Sequence, residues 1–160
     1  MPDKILIADD EPSNRNILRE ELTDRGYMVE TAEDGSEALT KVRGLRPDLL
    51  ILDFMMPDLS GLDVLKELRK RDDDTPVIMI TAYGTVDRAV EAMKAGAYDF
   101  ITRPFDPDHI EIVVRKAIER QTLKRKVEVL SEENHDRYHL IVGESAKMKL
   151  QSIVIDTTAL

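Results

Sequence analysis

A doubly wound α/β domain on a five-stranded parallel sheet, with an extended C-terminal helix, is the fold class this sequence predicts. Five short apolar runs recur, KILIA (4–8), YMVET (27–31), DLLIL (48–52), PVIMI (76–80) and YDFI (98–101), and a helical pattern follows each. Apolar residues in unbroken succession suit strands covered on both faces, which makes the sheet parallel. Five such units within about 120 residues leave only short connections between strand and helix.

Taken in order, residues 13–25 put Ile17, Leu18 and Leu22 on one helical stripe, and residues 35–43 do the same with Ala38, Leu39 and Val42. A third helix reads from Leu62, Leu65 and Leu68. A fourth reads from Val86, Ala89, Val90 and Met93, with Gly96 as its C-cap. The last helix is longer: from about Asp108 to Asp136 there is no Gly or Pro. Its first half offers Ile110, Val113, Val114 and Ala117 to the sheet. Its second half spaces Leu123, Val127, Leu130 and Asn134 in the 4-3-4 rhythm of a coiled-coil seam with one polar position. A single helix covering the edge of its own domain or of a neighbour is the alternative.

The chain has 160 residues, 42% of them hydrophobic, which suits one ordinary domain plus a short appendage. Net charge is −9 and no Lys/Arg cluster lies on a recognition helix, so no direct nucleic-acid contact is expected from this segment. Cysteine is absent, which excludes thiol catalysis and thiolate metal sites. Nowhere do eighteen apolar residues run together, and the N-terminus carries no cleavage-site pattern, so a soluble cytoplasmic protein with no membrane contact is expected. No G-x-x-x-x-G-K-[ST] loop occurs, so ATP hydrolysis is not expected of this segment.

The chemistry concentrates at strand exits. Asp9 and Asp10 end ILIA, and Asp53 ends DLLIL. In a parallel sheet these acids converge at the carboxyl edge, where open α/β folds hold ligands. Three clustered carboxylates repel one another, and a hard divalent cation removes that cost, so the set points to a Mg²⁺-dependent phosphoryl site. Asp9 and Asp10 as N-cap and first-turn acid of the next helix is the plainer reading of that pair alone. Asp53 has no such structural task, because Ser60 is the better N-cap for the helix that follows it. An ionised Asp53 can act as a nucleophile and form an aspartyl phosphate. Asp10 is read as the direct cation ligand and Asp9 as the ligand through water, an order the sequence leaves open. The backbone carbonyl near Met55 completes the protein's oxygen set. Thr81 ends PVIMI beside the small Ala82, where a hydroxyl can bond a phosphoryl oxygen. Arg103-Pro104 follows YDFI and brings a cation to the same edge.

With the Asp9-Asp10 pair, Asp53 followed by Pro57 and Gly61, Thr81-Ala82, and a basic-Pro pair after AGAYDFI, residues 3 to 122 resemble the response-regulator receiver domain of two-component signalling. The resemblance implies a flavodoxin-like strand order 2-1-3-4-5. It also implies that Asp53 accepts a phosphoryl group from a histidine kinase, with Asp9 and Asp10 serving Mg²⁺. Thr81 would move onto the phosphoryl group and Phe100 would be the aromatic switch residue that turns inward. The family's basic residue here is lysine; this chain carries Arg103, and a planar fork is not interchangeable with a flexible ammonium. The domain is then a phosphoacceptor and not an enzyme, beyond slow self-dephosphorylation.

AYDFITRPF, a long helix, then LIVGES with AKMK further resembles the sigma-54-dependent transcription activators of nitrogen-regulation type. That implies a receiver over 1–122, a helical linker over 123–138, and over 139–160 the start of a downstream ATPase domain of the AAA+ kind. A free-standing receiver acting in a phosphorelay or directly on a partner is the alternative. A hydrolase on the same carboxylates would need a general acid, and His109, His135 and His139 all lie on or after the last helix.

The seam predicts a homodimer through the last helix. A 30-residue helix is about 45 Å long, more than one small domain's edge covers, and each leucine contributes roughly 1.5–3 kcal/mol when fully buried. Replacing Leu123 and Leu130 together with Asp is expected to give folded monomers by sedimentation equilibrium; a parent chain that is already monomeric at tens of micromolar refutes the seam.

Overall fold

The computed structural model describes residues 2–128. Its elements are β1 (Lys4–Ala8), α1 (Pro12–Asp24), β2 (Met28–Ala32), α2 (Gly35–Leu45), β3 (Leu49–Asp53), α3 (Gly61–Lys70), β4 (Val77–Thr81), α4 (Val86–Lys94) and β5 (Asp99–Thr102). A helix from residue 107, α5, runs to 128, the last described residue. All strand pairs are parallel and the order is β2-β1-β3-β4-β5, as expected.

Alternation along the strands sorts the aliphatic side chains into two cores. Leu6, Ala8, Leu50, Leu52 and Met79 face a cluster with Ala38 and Val42 of α2, Leu62, Leu65 and Leu68 of α3, and Ala92 of α4. Ile5, Ile7, Leu49, Ile51, Ile78 and Ile80 face the opposite cluster with Leu18 and Leu22 of α1 and Ile110, Val113, Val114 and Ala117 of α5. Every residue of β3 and β4 is buried, which is why these runs are apolar without interruption.

The helix boundaries have local causes. Pro12 starts α1, where its missing N–H costs nothing. Asp34 caps α2 by accepting the Glu37 N–H, and the Glu37 carboxylate accepts the Glu33 N–H in return. Ser60 caps α3 and Thr85 caps α4. Gly26 and Gly96 take positive φ (97° and 103°) just past α1 and α4; Ala95 is the cap residue of α4, so Gly96 stands one position later than expected.

Three expectations are corrected. Strands β2 to β5 each begin and end one residue later than the apolar runs; Asp53 and Thr81 are the last residues of their strands, as expected, and the ladder pairs Asp53 with Ile80 and Thr81 with Thr102. Ile17 is exposed, and the buried stripe of α1 is Leu18 and Leu22 alone. The stripe assigned to α4 faces outward: Val86, Val90 and Met93 are 80%, 44% and 48% exposed, and only Ala92 of that helix is buried.

On α5, Leu123 and Val127 are exposed. Leu130, Asn134 and the segment 139–160 lie outside the described residues.

Gly61 sets the entry of α3 against the end of β3. Its N–H donates to the Phe54 carbonyl at 3.0 Å, and a Cβ there would collide with the Asp53 carbonyl oxygen and come within 2.8 Å of Met79 Cε. Gly61→Ala is therefore expected to destabilise by about 1–3 kcal/mol in urea unfolding. Gly44→Ala, in α2 with nothing within 4 Å of the new methyl, is expected to stabilise by up to about 1 kcal/mol.

Candidate functional site

The β1, β3, β4 and β5 ends bring the expected residues to one edge. Asp9 extends the β1–β2 ladder by one bond, its N–H donating to the Ala32 carbonyl at 3.2 Å, and is 1% exposed. Asp53 ends β3 and is 8% exposed, while Asp10 is exposed. One carboxylate oxygen from each of the three lies within 4.8 Å of the others. Asp9 and Asp10 do not cap α1: the N-cap is Glu11, without a side-chain bond, and the first turn holds no acid. Asp9 Oδ1 instead accepts the Glu11 N–H at 2.9 Å, which fixes the turn between β1 and α1.

Arg103, just past β5, reaches back across the edge. Its Nη2 donates to Asp9 Oδ2 and its Nη1 lies 3.8 Å from Asp53 Oδ2, with the side chain only 16% exposed. Its own N–H continues the ladder to the Thr81 carbonyl at 2.8 Å, and the bond to Pro104 is cis. One guanidinium thus reaches two of the three carboxylates, Asp9 and Asp53. The charge balance shows on Asp53, whose pKa is pushed up to about 7, first by burial and then by the charge of Asp9; the Met55 N–H and Arg103 oppose the shift without cancelling it.

A hard cation fits this set. The donors are all carboxylate oxygens, the negative charge exceeds what Arg103 neutralises, and the cluster is compact enough for one ion. The Met55 N–H donates to Asp53 Oδ1 at 3.2 Å, which ties the turn after β3 to that carboxylate.

Thr81 is 1% exposed, and its Oγ1 accepts the Tyr83 N–H at 3.2 Å. Phe100 is half-buried against the first core, with its ring edge-on to Phe54 at 6.2 Å and 79°. Of the expected site residues, Asp9, Asp10, Asp53, Met55, Thr81 and Arg103 therefore lie on the carboxyl edge of β1, β3, β4 and β5 or in the turns that follow them, whereas Phe100 lies within β5, opposite Met79 of β4.

Three neighbours escaped the sequence reading. Arg15, one turn into α1, donates from Nη1 to the Asp9 carbonyl at 2.8 Å; it stands four residues after Glu11, which puts it back over the turn. Asp58 accepts the Gly35 and Ser36 N–H groups at 3.0 and 3.1 Å and the Ser36 hydroxyl, so the turn after β3 is tied to the start of α2. Those bonds, led by the Ser36 hydroxyl, hold its carboxyl far below the usual carboxylate range. Arg88 of α4 stacks on Phe54, and nothing in the linear sequence links positions 34 residues apart.

The sequence profile of the family described as Response regulator receiver domain matches residues 5–115. Regulatory protein AtoC of Escherichia coli (strain K12) is 33% identical over 150 residues, covering 92% of this chain and 32% of that protein. The nitrogen assimilation regulatory protein NtrX of Azorhizobium caulinodans is 35% identical over 158 residues, covering 98% and 34%. The chain thus spans about a third of the length of these relatives. Among solved structures, NtrX from Brucella abortus superposes with a TM-score of 0.76 at 38% identity, over 81% of this chain and 30% of that one; the same protein has been solved with ATP and with ADP. The Francisella response regulator 1452 receiver domain gives 0.71 at 34%, over 74% and 98%.

The raised pKa of Asp53 has a stability consequence. Between its ordinary value of 3.8 and about 7, the folded protein keeps a proton that the unfolded chain has released, so this group's contribution to stability falls as pH rises through that window. In the presence of chelator, Asp53→Asn is expected to exceed the parent in urea stability at pH 8 by more than about 1 kcal/mol. The gap should close toward pH 4, and saturating Mg²⁺ should narrow it at pH 8 by stabilising the folded parent. A gap independent of pH would count against the burial and repulsion assigned to Asp53.

Proposed function

The chain belongs to the response-regulator receiver domain family, and on that premise we propose that it takes a phosphoryl group from a histidine kinase onto Asp53 and reports the change to a downstream transcription activator. The observation that carries the reading is the convergence of Asp9, Asp10 and Asp53 within 4.8 Å at the edge of the sheet. In the transfer, an Asp53 carboxylate oxygen attacks phosphorus, the bond from phosphorus to the kinase imidazole breaks, and the imidazole nitrogen keeps the electron pair. Asp9, Asp10, Asp53 and the Met55 carbonyl would hold Mg²⁺. That ion supplies charge neutralisation for the carboxylates and the phosphoryl oxygens.

The remaining residues follow from what surrounds Asp53. The Met55 N–H fixes the orientation of its carboxylate. Arg103 already lies beside Asp53 and offers its fork to a phosphoryl oxygen. Thr81 would leave the Tyr83 N–H to bond the phosphoryl group, and Phe100, packed beside Phe54, would turn further inward to fill the space this opens.

Residues 1–122 are the receiver in this reading, 123–138 a dimerising linker, and 139–160 the start of an ATPase domain acting with sigma-54 polymerase in the cytoplasm. The alignment along nearly all of this chain with NtrX supports that order, and the nucleotides bound to the Brucella protein support an ATPase beyond the linker. The exposure of Leu123 and Val127 supports a second copy as the partner of the linker. Among the described residues no helix is long and apolar enough to cross a membrane.

With a small phosphodonor and Mg²⁺, the chain is expected to gain one acid-labile phosphoryl adduct by intact mass. Chelator or Asp53→Ala should remove it. An equal adduct in Asp53→Ala, mapped to another residue, would falsify the assignment.

A further inference from the structure

We infer that Arg88 is a positioning residue that couples the acceptor strand to α4, holding the Tyr83 carbonyl and the Phe54 ring with one guanidinium. Its Nη1 donates to the Tyr83 carbonyl oxygen at 3.0 Å, and its Cζ lies 5.2 Å from the centroid of the Phe54 ring. These two contacts belong to different loops. Tyr83 sits in the connection from β4 to α4, while Phe54 follows Asp53 directly. Among the described residues Arg88 pairs with no carboxylate, so its charge is given to a carbonyl and an aromatic face. A planar guanidinium lays its face on a ring while its edge donates to a carbonyl; a lysine ammonium is a compact point charge without that flat fork.

The surroundings make this one side chain matter. The backbone between Thr81 and Arg88 is tied at successive points: the Tyr83 N–H to Thr81 Oγ1, the Tyr83 carbonyl to Arg88, and the Arg88 N–H to Thr85 Oγ1 at 3.2 Å. The body of α4 buries only Ala92, so little apolar packing holds its first turn in place. The Phe54 ring under Arg88 also touches Phe100 edge-on. Arg88 therefore stands where the acceptor strand, the Thr81 loop and the first turn of α4 meet. The inference rests on the proposed phosphoacceptor role of Asp53 in one respect: when the Thr81 hydroxyl turns to a phosphoryl oxygen, the Tyr83 peptide loses its tie, its carbonyl shifts, and Arg88 releases the start of α4.

Hydrogen exchange resolved by residue tests it, on the full chain, first without donor. In Arg88→Ala and Arg88→Lys the amides of Tyr83 and Ala89, the latter bonded to the Thr85 carbonyl, are expected to exchange about threefold or more faster than in the parent. The β3 amides should be unchanged. Phe54→Leu, which keeps bulk but removes the ring, should act in the same direction, and the double variant should fall short of the sum of the two. With donor and Mg²⁺ the parent amides should speed up, and those of Arg88→Ala should respond by less than half as much. Parent-like exchange at Tyr83 and Ala89 in both Arg88→Lys and Phe54→Leu overturns the inference, even where Arg88→Ala does not fold. A parent that forms no Asp53 adduct counts against the phosphoacceptor reading alone, because the comparison without donor stands independently of it.

Discussion

Mutual repulsion among Asp9, Asp10 and Asp53 is the constraint around which the carboxyl edge is organised. Two of the three are buried, and a buried carboxylate that lacks full compensation is expensive. The protein meets part of that cost with Arg103, with the Glu11 and Met55 N–H groups, and with Arg15 on the Asp9 carbonyl. What remains is visible in the raised pKa of Asp53. A site left with surplus negative charge is poised for a divalent cation, and the two together suit a nucleophile that has to be ionised to work.

The turns after the strands are tied outward from the acids. Asp58 joins the turn after β3 to the start of α2, and Arg103 ties the end of β5 to β1 and β3. Around Thr81 the ties stay within the loop from Thr81 to Arg88, and the fully buried residue of α4 is Ala92 alone. The edge is thus cross-tied between strands around the three carboxylates, while α4 meets the core through little fully buried surface. That contrast gives a local chemical event a direction in which to be felt.

How much of this was legible in the sequence depended on which signal each residue carried. Asp9, Asp10, Asp53, Thr81 and Arg103 follow apolar runs, and a parallel sheet brings such positions together, so their convergence could be read. The later start of β2 to β5 could not, because pairing is decided by the neighbouring strand and not by hydropathy. The outward face of α4 was misread for a related reason. Val86, Val90 and Met93 share a helical face, yet a spacing rule states only that they lie together and not which side meets the sheet. Ile17 failed in the same way beside Leu18 and Leu22. Arg15, Asp58 and Arg88 act through backbone groups or rings distant in sequence, and no local pattern announces such contacts.

The burial of β3 on both faces has a bearing on how the chain assembles correctly. Leu50 and Leu52 serve one core, and Leu49 and Ile51 the other. A slip of β3 by one residue would exchange aliphatic side chains for others of much the same size, so hydrophobicity discriminates poorly against the mispaired sheet. The charged terminus does discriminate. A slip that draws Asp53 into the dry interior of the sheet would bury its carboxylate away from Arg103. The residue assigned to the chemistry therefore also acts as a stop for strand pairing, and Asp53→Leu would remove both at once, admitting a mispaired sheet that the native sequence rejects.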